Sequence, residues 1–367
     1  MNWELINRLR RTAGGRPEGL RSHYDFVYLT NTPSFYKLKL CDAITRRGAS
    51  VLIVFYGYGS EAVNTVLTGD DTFGFDYTFL HTGDASRRGH WRTFWRLTRL
   101  LSGVSWRRLL FSGWLAPEYN IACFLTPRGR NAVVCESTVW DISLRGLQGA
   151  VKRAIIGRMS AALPSGQPHR EFFESIGFAG RLEVTGSVGI FNKGPRRAKA
   201  AHDGPRRYIY VGRLIDVKGV DLLIDVFNAL GKPLTIVGAG PLEKELRARA
   251  RGNITFTGFI DNEALGEVYQ AHDVFILPSR YEPWGLVVEE AIYWGLPVIV
   301  SDRVGSSTDM VRDLGTGVVF ASGSARSLTE AIDAVERGYE GYRAAAEAVD
   351  WNARDAAQVD AYMALLD

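Results

Sequence analysis

Residues 273–300 read DVFILPSRYEPWGLVVEEAIYWGLPVIV. The apolar run Asp273–Leu277 stops at Pro278, and a second short apolar run, Pro297–Val300, follows a segment of helix length. Two brief, wholly apolar runs spaced this way predict parallel strands, buried on both faces and joined by a crossover helix. Pro283 suits the first turn of that helix, where a missing N–H has no bond to lose. A helix starting there leaves unpaired N–H groups at Trp284, Gly285 and Leu286, and such a terminus attracts phosphate through hydrogen bonds and the helix dipole. Glu282 precedes the helix, and Glu290 lies about two turns into it. Glu289 points roughly 100° away from Glu290, so it is set aside as a bystander. Isolated, a pair of glutamates is most often a cap and a solvated charge. Three further segments give this pair a chemical context.

The same alternation extends through the second half of the chain. Tyr208–Val211, Leu234–Val237 and Ile254–Phe256 read as strands, while Val220–Leu230, Leu242–Arg251 and Glu263–Ala271 read as helices. A parallel sheet wound on both faces follows, with its functional loops gathered at the carboxyl ends of the strands. The first half gives the pattern more faintly: Phe26–Leu29, Val51–Phe55, Ile121–Leu125 and Ala132–Cys135 as strands, and Lys37–Arg47 as the first crossover helix. Residues 192–207, NKGPRRAKAAHDGPRR, are basic and punctuated by Gly and Pro, which reads as a linker. The expected organisation is an N-terminal domain over 1–191, a linker over 192–207, a C-terminal domain over 208–348, and a last helix over 349–367 packing back across the domains; the resemblance described below makes the first the acceptor-side domain and the second the nucleotide-sugar-binding one.

Each supporting segment ends a predicted strand. In YVGRLIDVKG (210–219), Gly212 follows the strand and the loop offers Arg213 and Lys218, a forked donor and a compact charge suited to phosphate. VGAGP (237–241) has Gly238 and Gly240 in a tight turn, but Glu243 stands where a dinucleotide fingerprint needs its third glycine. A plain strand-to-helix turn explains that segment as well as ligand contact does. TFTGFID (255–261) presents Phe259 and Ile260, where a flat base could rest, although Phe259 reads equally as core.

Taken in order, GRLIDVKG, VGAGP, TGFI, LPSRYEPWGLVVEEA and GLPVIVSD resemble the C-terminal domain of family 4 retaining glycosyltransferases (glycosyltransferase group 1). The resemblance implies an α/β architecture of the GT-B type, two doubly wound Rossmann-like domains facing an interdomain cleft. It implies that Glu282 holds hydroxyls of a donor sugar, Glu290 the nucleotide ribose, and Arg213 and Lys218 the departing diphosphate. The base would lie near Phe259 and Ile260, and Gly212, Gly238, Pro283, Trp284, Gly285 and Leu286 would line the donor. Trp284 replaces the family's more usual phenylalanine, and Glu289 replaces an apolar residue. The implied reaction is retaining transfer from a nucleotide-diphosphate sugar to a glycan or lipid-linked glycan, in cell-surface polysaccharide or glycolipid synthesis. No cofactor and no metal are expected, because the nucleotide sugar is a substrate and cations with helix amides stabilise the leaving group. A non-catalytic sugar-nucleotide-binding scaffold and a sugar-nucleotide epimerase or hydrolase are the alternatives.

The N-terminal half departs from that pattern. Leu29 is followed by TNTPSFYK instead of a Gly-Gly loop, and Thr30, Asn31 and Ser34 there read most simply as a helix cap. SVGIF (187–191) stands where relatives often carry Asn-Gly-Val-Asp. Glu118, Glu136 and Ser137 lie near predicted strand ends, Ser165 opens SGQPHREFFESIG, and His169 reads as surface.

Residues 87–115, RRGHWRTFWRLTRLLSGVSWRRLLFSGWL, hold seven arginines, four tryptophans and no acid. Read as one helix, Arg92, Arg96 and Arg99 share a face, which suits an anionic membrane surface as well as it suits packing on the sheet. Binding to nucleic acid is not expected, because no recognisable module accompanies the charge. At 367 residues the chain exceeds one ordinary core, its net charge is +4, and no run approaches the roughly 18 apolar residues of a membrane span. Three cysteines without CxxC spacing fit a reducing cytoplasm and no zinc site. The expected location is cytoplasmic, with peripheral attachment at the inner membrane face.

Overall fold

A computed structural model describes residues 19–57, 73–81, 89–114, 116–140, 144–196 and 204–367. Arg87, Arg88 and Leu115 of the basic segment, and residues 197–203 of the expected linker, lie outside the described residues. The chain divides into two units, Met1–Phe191 with Arg354–Asp367, and Asn192–Ala353.

In the first unit, strands β1 (His23–Thr30), β2 (Val51–Phe55), β3 (Asp76–Phe79), β4 (Ser105–Ser112), β5 (Asn131–Cys135), β6 (Ala161–Pro164) and β7 (Arg181–Leu182) form one sheet in the order β3-β2-β1-β4-β5-β6-β7. Neighbouring strands are parallel throughout. Helices α1 (Phe35–Arg46), α2 (His90–Gly103), α3 (Pro117–Leu125), α4 (Gly146–Ile156) and α5 (Gln167–Ser175) connect them. One core packs Phe26, Tyr28, Leu110, Val134 and Leu163 against α1, and the other packs Val27, Leu29, Leu109 and Val133 against α2 and α3. Strand residues of opposite parity feed opposite faces, which explains why β2 and β5 are buried along their whole length.

Two expectations change here. Ile121–Leu125 is the end of helix α3, not a strand. Five apolar residues carry no decisive period. Pro117 at the helix start settles the matter, and Tyr119, Ala122 and Cys123 turn inward while Ile121, Phe124 and Leu125 stay exposed. The segment 87–115 is not one helix either: α2 ends at Gly103, Val104 is extended, and β4 then lies between β1 and β5. In β4, Trp106 is buried between exposed Ser105 and Arg107, the alternation of a strand.

In the second unit, β8 (Tyr208–Val211), β9 (Leu234–Val237), β10 (Ile254–Gly258), β11 (Val274–Leu277), β12 (Val298–Ser301) and β13 (Gly317–Phe320) form a parallel sheet ordered β10-β9-β8-β11-β12-β13. The helices are α6 (Val220–Leu230), α7 (Glu243–Arg249), α8 (Asn262–Gln270), α9 (Leu286–Tyr293), α10 (Ala325–Arg337) and α11 (Tyr339–Glu347).

Helix α12 (Trp351–Met363) carries the chain back into the first unit at Arg354. Val359, Tyr362 and Leu365 join the α1-side core, and Arg354 Nη2 and Gln358 Nε2 donate to the Gly186 and Ser187 carbonyls at 2.8 and 2.9 Å. Strand order reverses between β1 and β4 in the first unit and between β8 and β11 in the second. At such a point the loops leaving two neighbouring strands diverge and open a crevice at their carboxyl ends.

Candidate functional site

The crevice of the second unit lies between the loop after β8 and the loop after β11. Glycines close-pack the first of these loops. Gly212 N–H donates to Val237 O at 3.0 Å, and a Cβ on Gly238 (φ +130°) would meet Gly212 O at 1.9 Å. A Cβ on Gly240 would meet Leu214 O at 2.4 Å. The glycines of VGAGP thus serve backbone packing between adjacent strand ends. Gly219 (φ +64°) opens α6 so close to the β11 loop that a Cβ would lie 2.4 Å from Pro278 O. Arg280 then ties the loops together, its N–H donating to Val217 O at 2.8 Å and its Nη2 to Asp221 at 2.7 Å.

These contacts bring Lys218 and Glu282 together across the crevice, Nζ donating to Oε2, with both side chains largely shielded from solvent. Glu282 is fixed through its own backbone: its N–H donates to Arg303 O at 3.0 Å and its carbonyl accepts from Gly305 N–H at 3.0 Å. Arg213 is exposed at the lip of the same loop, where its carbonyl accepts from the buried Tyr210 hydroxyl at 3.0 Å.

Helix α9 begins at Leu286, later than Pro283 suggests. Gly285 caps it at φ +90°, outside the helical region, and the residues before it bridge to the loop after β12, with Ser306 N–H donating to Trp284 O at 3.0 Å. The amides left without a helical partner therefore belong to the turn starting at Leu286, not to Trp284. The Trp284 side chain is buried, not ligand-lining, and its Nε1–H donates to Glu289 Oε1. Glu289 is accordingly no solvated bystander; it is buried and holds the indole. The two departures from the family pattern contact each other.

Glu290 is half-buried and accepts from the Tyr269 hydroxyl at 3.2 Å. Burial pushes its carboxyl up to about 7; the Tyr269 hydrogen bond opposes the shift and the neighbouring Glu289 adds to it. Phe259 is not core: it is 58% exposed just beyond the end of β10, beside the half-buried Ile260. Tyr269 was missed in the sequence because it meets Glu290 across two helices, and no local spacing signals such a contact.

In the first unit Glu118 is buried and pairs with His90 Nδ1 at 2.7 Å. His169 is fully buried instead of lying on the surface. Ser34 occupies the position before α1, yet its side chain makes no capping bond. Glu136 lies 4.0 Å from Lys37, a residue that sequence reasoning passed over, and Ser137 N–H donates to Cys135 Sγ at 3.4 Å. The three cysteines are buried and form no disulfide.

Comparison with known proteins bears on this geometry. The family described as glycosyl transferases group 1 matches residues 193–350. The D-rhamnosyltransferase WbpZ of Pseudomonas aeruginosa is 32% identical over 136 residues, 35% of this chain and 35% of that one. The O-antigen chain mannosyltransferase C of Escherichia coli is 31% identical over 137 residues, 35% of this chain and 37% of that one. The alignments thus span about a third of these relatives. Among solved structures, HepE of Anabaena in complex with UDP-glucose superposes with a TM-score of 0.63 at 17% identity, over 94% of this chain and 98% of that chain. The second unit belongs to glycosyl transferases group 1, and the chain as a whole has the GT-B fold.

Proposed function

We propose that this protein is a retaining glycosyltransferase that moves a sugar from a nucleotide-diphosphate sugar to a glycan or lipid-linked glycan in cell-surface polysaccharide or glycolipid synthesis. The observation that carries the reading is the Lys218–Glu282 pair spanning the crevice of the second unit, with Glu290 further along α9. An ammonium has three hydrogens, so Lys218 can keep Glu282 and still donate to a diphosphate oxygen. Arg213 at the lip adds a forked donor. As the bond from the sugar C1 to the diphosphate breaks, negative charge grows on the leaving group, and these fixed cations with the first-turn amides of α9 stabilise it without a metal. Glu282 accepts from donor-sugar hydroxyls, Glu290 from the ribose, and Phe259 with Ile260 supports the base. The donor is a substrate, and no cofactor takes part.

The test is a thermal-shift screen with UDP, GDP, dTDP and CMP sugars, followed by turnover with a membrane extract. One donor should raise the melting temperature by mass action and be consumed only with acceptor present. Binding without turnover would overturn the enzyme reading in favour of a scaffold, and sugar release without acceptor would make the protein a hydrolase.

The same reading places the first unit on an anionic membrane surface. Trp91 and Trp95 on α2 are 67% and 61% exposed, beside exposed Arg92 and Arg99. Helix α3 packs on α2 and adds exposed Phe124 and Leu125, while Arg96 is committed to the Leu80 carbonyl at 2.7 Å. Aromatic anchors flanked by arginines suit an interface of anionic headgroups over apolar chains. Among the described residues, no helix is long and apolar enough to cross a membrane.

A further inference from the structure

At the amino ends of the first unit's strands, opposite its crevice, the arginines that open β4 meet the RGR turn (128–130) that precedes β5. They enclose a pocket of about 560 Å³ whose lining includes His23, Arg107, Arg108, Gly129, Arg130 and Leu366. Strand β1 alone separates this end from the crevice by about 23 Å. Backbone carbonyls hold the guanidiniums in place. Arg107 Nη2 donates to Leu366 O and Arg108 Nε to Leu365 O, capping the turn Ala364–Leu366. Arg108 Nη1 donates to Gly129 O at 2.7 Å, and Arg130 Nη1 to Trp106 O at 3.1 Å. These bonds fix three guanidinium planes but spend at most two of the five N–H groups of each. Counter-charge is scarce. Asp25 lies 3.5 Å from Arg107, and among the described residues Arg108 and Arg130 have no carboxylate partner. Burial holds the Arg108 guanidinium below its ordinary value, and the charges of Arg181 and Arg107 lower it further.

We infer that this pocket binds the phosphate groups of a phosphorylated small molecule, at a site distinct from the crevices of both units. Forked guanidiniums match phosphate oxygens, and several of them around one cavity suit a multiply charged phosphate better than a single carboxylate. His23, held by Ser105 Oγ at 2.9 Å, can protonate opposite such an anion. A cation would be repelled, and a neutral sugar would find no carboxylate in the lining to accept from its hydroxyls. The volume lies in the range of small-molecule sites and exceeds what one phosphate fills, so the ligand carries a second phosphate or an organic part. An anion here offsets the repulsion among the arginines and tightens their hold on the turn whose Leu365 enters the α1-side core. Binding should therefore stabilise the first unit. A free phosphorylated metabolite and a phospholipid headgroup share this chemistry. The site stands whether or not the second unit transfers a sugar.

Gly129 permits a test that strips no contact. A Cβ there meets nothing within 4 Å, and its φ lies outside the left-handed region, so a side chain is added without strain. Gly129→Glu puts a carboxylate at the pocket, and Gly129→Gln adds the same volume without charge. In calorimetry on the full chain with inorganic pyrophosphate and with glycerol 3-phosphate, Gly129→Glu should weaken binding on the order of tenfold or more, and Gly129→Gln should not. Pyrophosphate taken up by the second unit is common to all three proteins and drops out of the comparison. Without ligand the three should melt alike, which excludes a folding defect. This pattern assigns a free phosphorylated molecule. Where the soluble probes do not distinguish the variants, the Trp91→Ala, Trp95→Ala protein should float on phosphatidate vesicles and lose that flotation with Gly129→Glu, which assigns a lipid headgroup. A Gly129→Glu protein unchanged in both measurements, or a Gly129→Gln protein that loses as much as Gly129→Glu, overturns the site.

Discussion

The two units each place a lysine and a glutamate across a strand-order reversal, but with different closeness. In the second unit Lys218 and Glu282 are in direct hydrogen-bonded contact, and the Glu282 backbone is fixed by bonds to the loop after β12. In the first unit Lys37 and Glu136 stand 4.0 Å apart, and Lys37 also donates to Ser112 at 3.3 Å. A closed pair holds two groups in a fixed geometry, whereas an open pair leaves hydrogen-bonding capacity unspent.

Removing one carboxylate from each pair should break that contrast most visibly. Glu282→Ala should lower kcat on the order of 100-fold, as loss of a preorganised polar group does, with nucleotide affinity little changed. Abolished nucleotide binding with intact turnover at saturating donor would refute its placement at the sugar. Next in size is the contact between Trp284 and Glu289, which only the second unit has. Trp284→Phe and Glu289→Leu should each cost roughly 1–3 kcal/mol by stranding a buried partner, and the double variant should cost less than their sum. Additive urea-unfolding values would show that the indole and carboxylate do not act as a pair.

A smaller effect concerns pH. A carboxyl held up to about 7 by burial accepts more strongly from ribose hydroxyls once it ionises, so nucleotide-sugar affinity should climb as pH rises through 7 and then level off. The slope is at most tenfold per unit, and Glu290→Gln should flatten it; nucleotide sugars have no phosphate titrating in that window, so they are suitable probes. An affinity constant from pH 5.5 to 8 would exclude Glu290 from the ribose. For folding the sign is opposite. The raised carboxyl stabilises the folded state below its ordinary value of 4.5, and that contribution fades as pH approaches about 7. Glu290→Gln should therefore gain stability at pH 8, by at most about 3 kcal/mol, and little at pH 4. Smallest of all, Trp91→Ala with Trp95→Ala should change unfolding free energy by about 0.5 kcal/mol or less, since both rings are exposed, while abolishing flotation on anionic vesicles. Undiminished flotation would remove α2 from the membrane face.

The legibility of the chain follows the same division. Strands Tyr208–Val211 and Leu234–Val237 and helix Val220–Leu230 stand where their apolar runs place them, because short buried strands between ten-residue helices leave little ambiguity. Glu282 and Lys218 were nameable from the loops that end those strands. The extent of α9 was not, because a glycine at φ +90° overrode the proline that favours a helix start. In the first unit, Ile121–Leu125 and the β4 half of the basic segment were misread, since five apolar residues or an arginine-rich run carry no firm period. Lys37 escaped notice because its partners lie in β4 and after β5, 75 and 99 residues away in the chain.

The return of the chain at Arg354 gives the molecule a nested order, with Asn192–Ala353 lying as an insert inside a first unit that owns both flanks. The two edges of the insertion lie close together, since Arg354 and Gln358 bond to Gly186 and Ser187, just before Phe191. Excising the insert and joining Phe191 to Arg354 through a short Gly/Ser bridge should leave a self-sufficient first unit with its own core. Stopping the chain at Ala353 would instead strip Val359, Tyr362 and Leu365 from that core and uncover Tyr28 and Phe26. A lesion in the last fourteen residues therefore acts on the opposite end of the sequence, and a nonsense change there should behave as a first-unit folding defect.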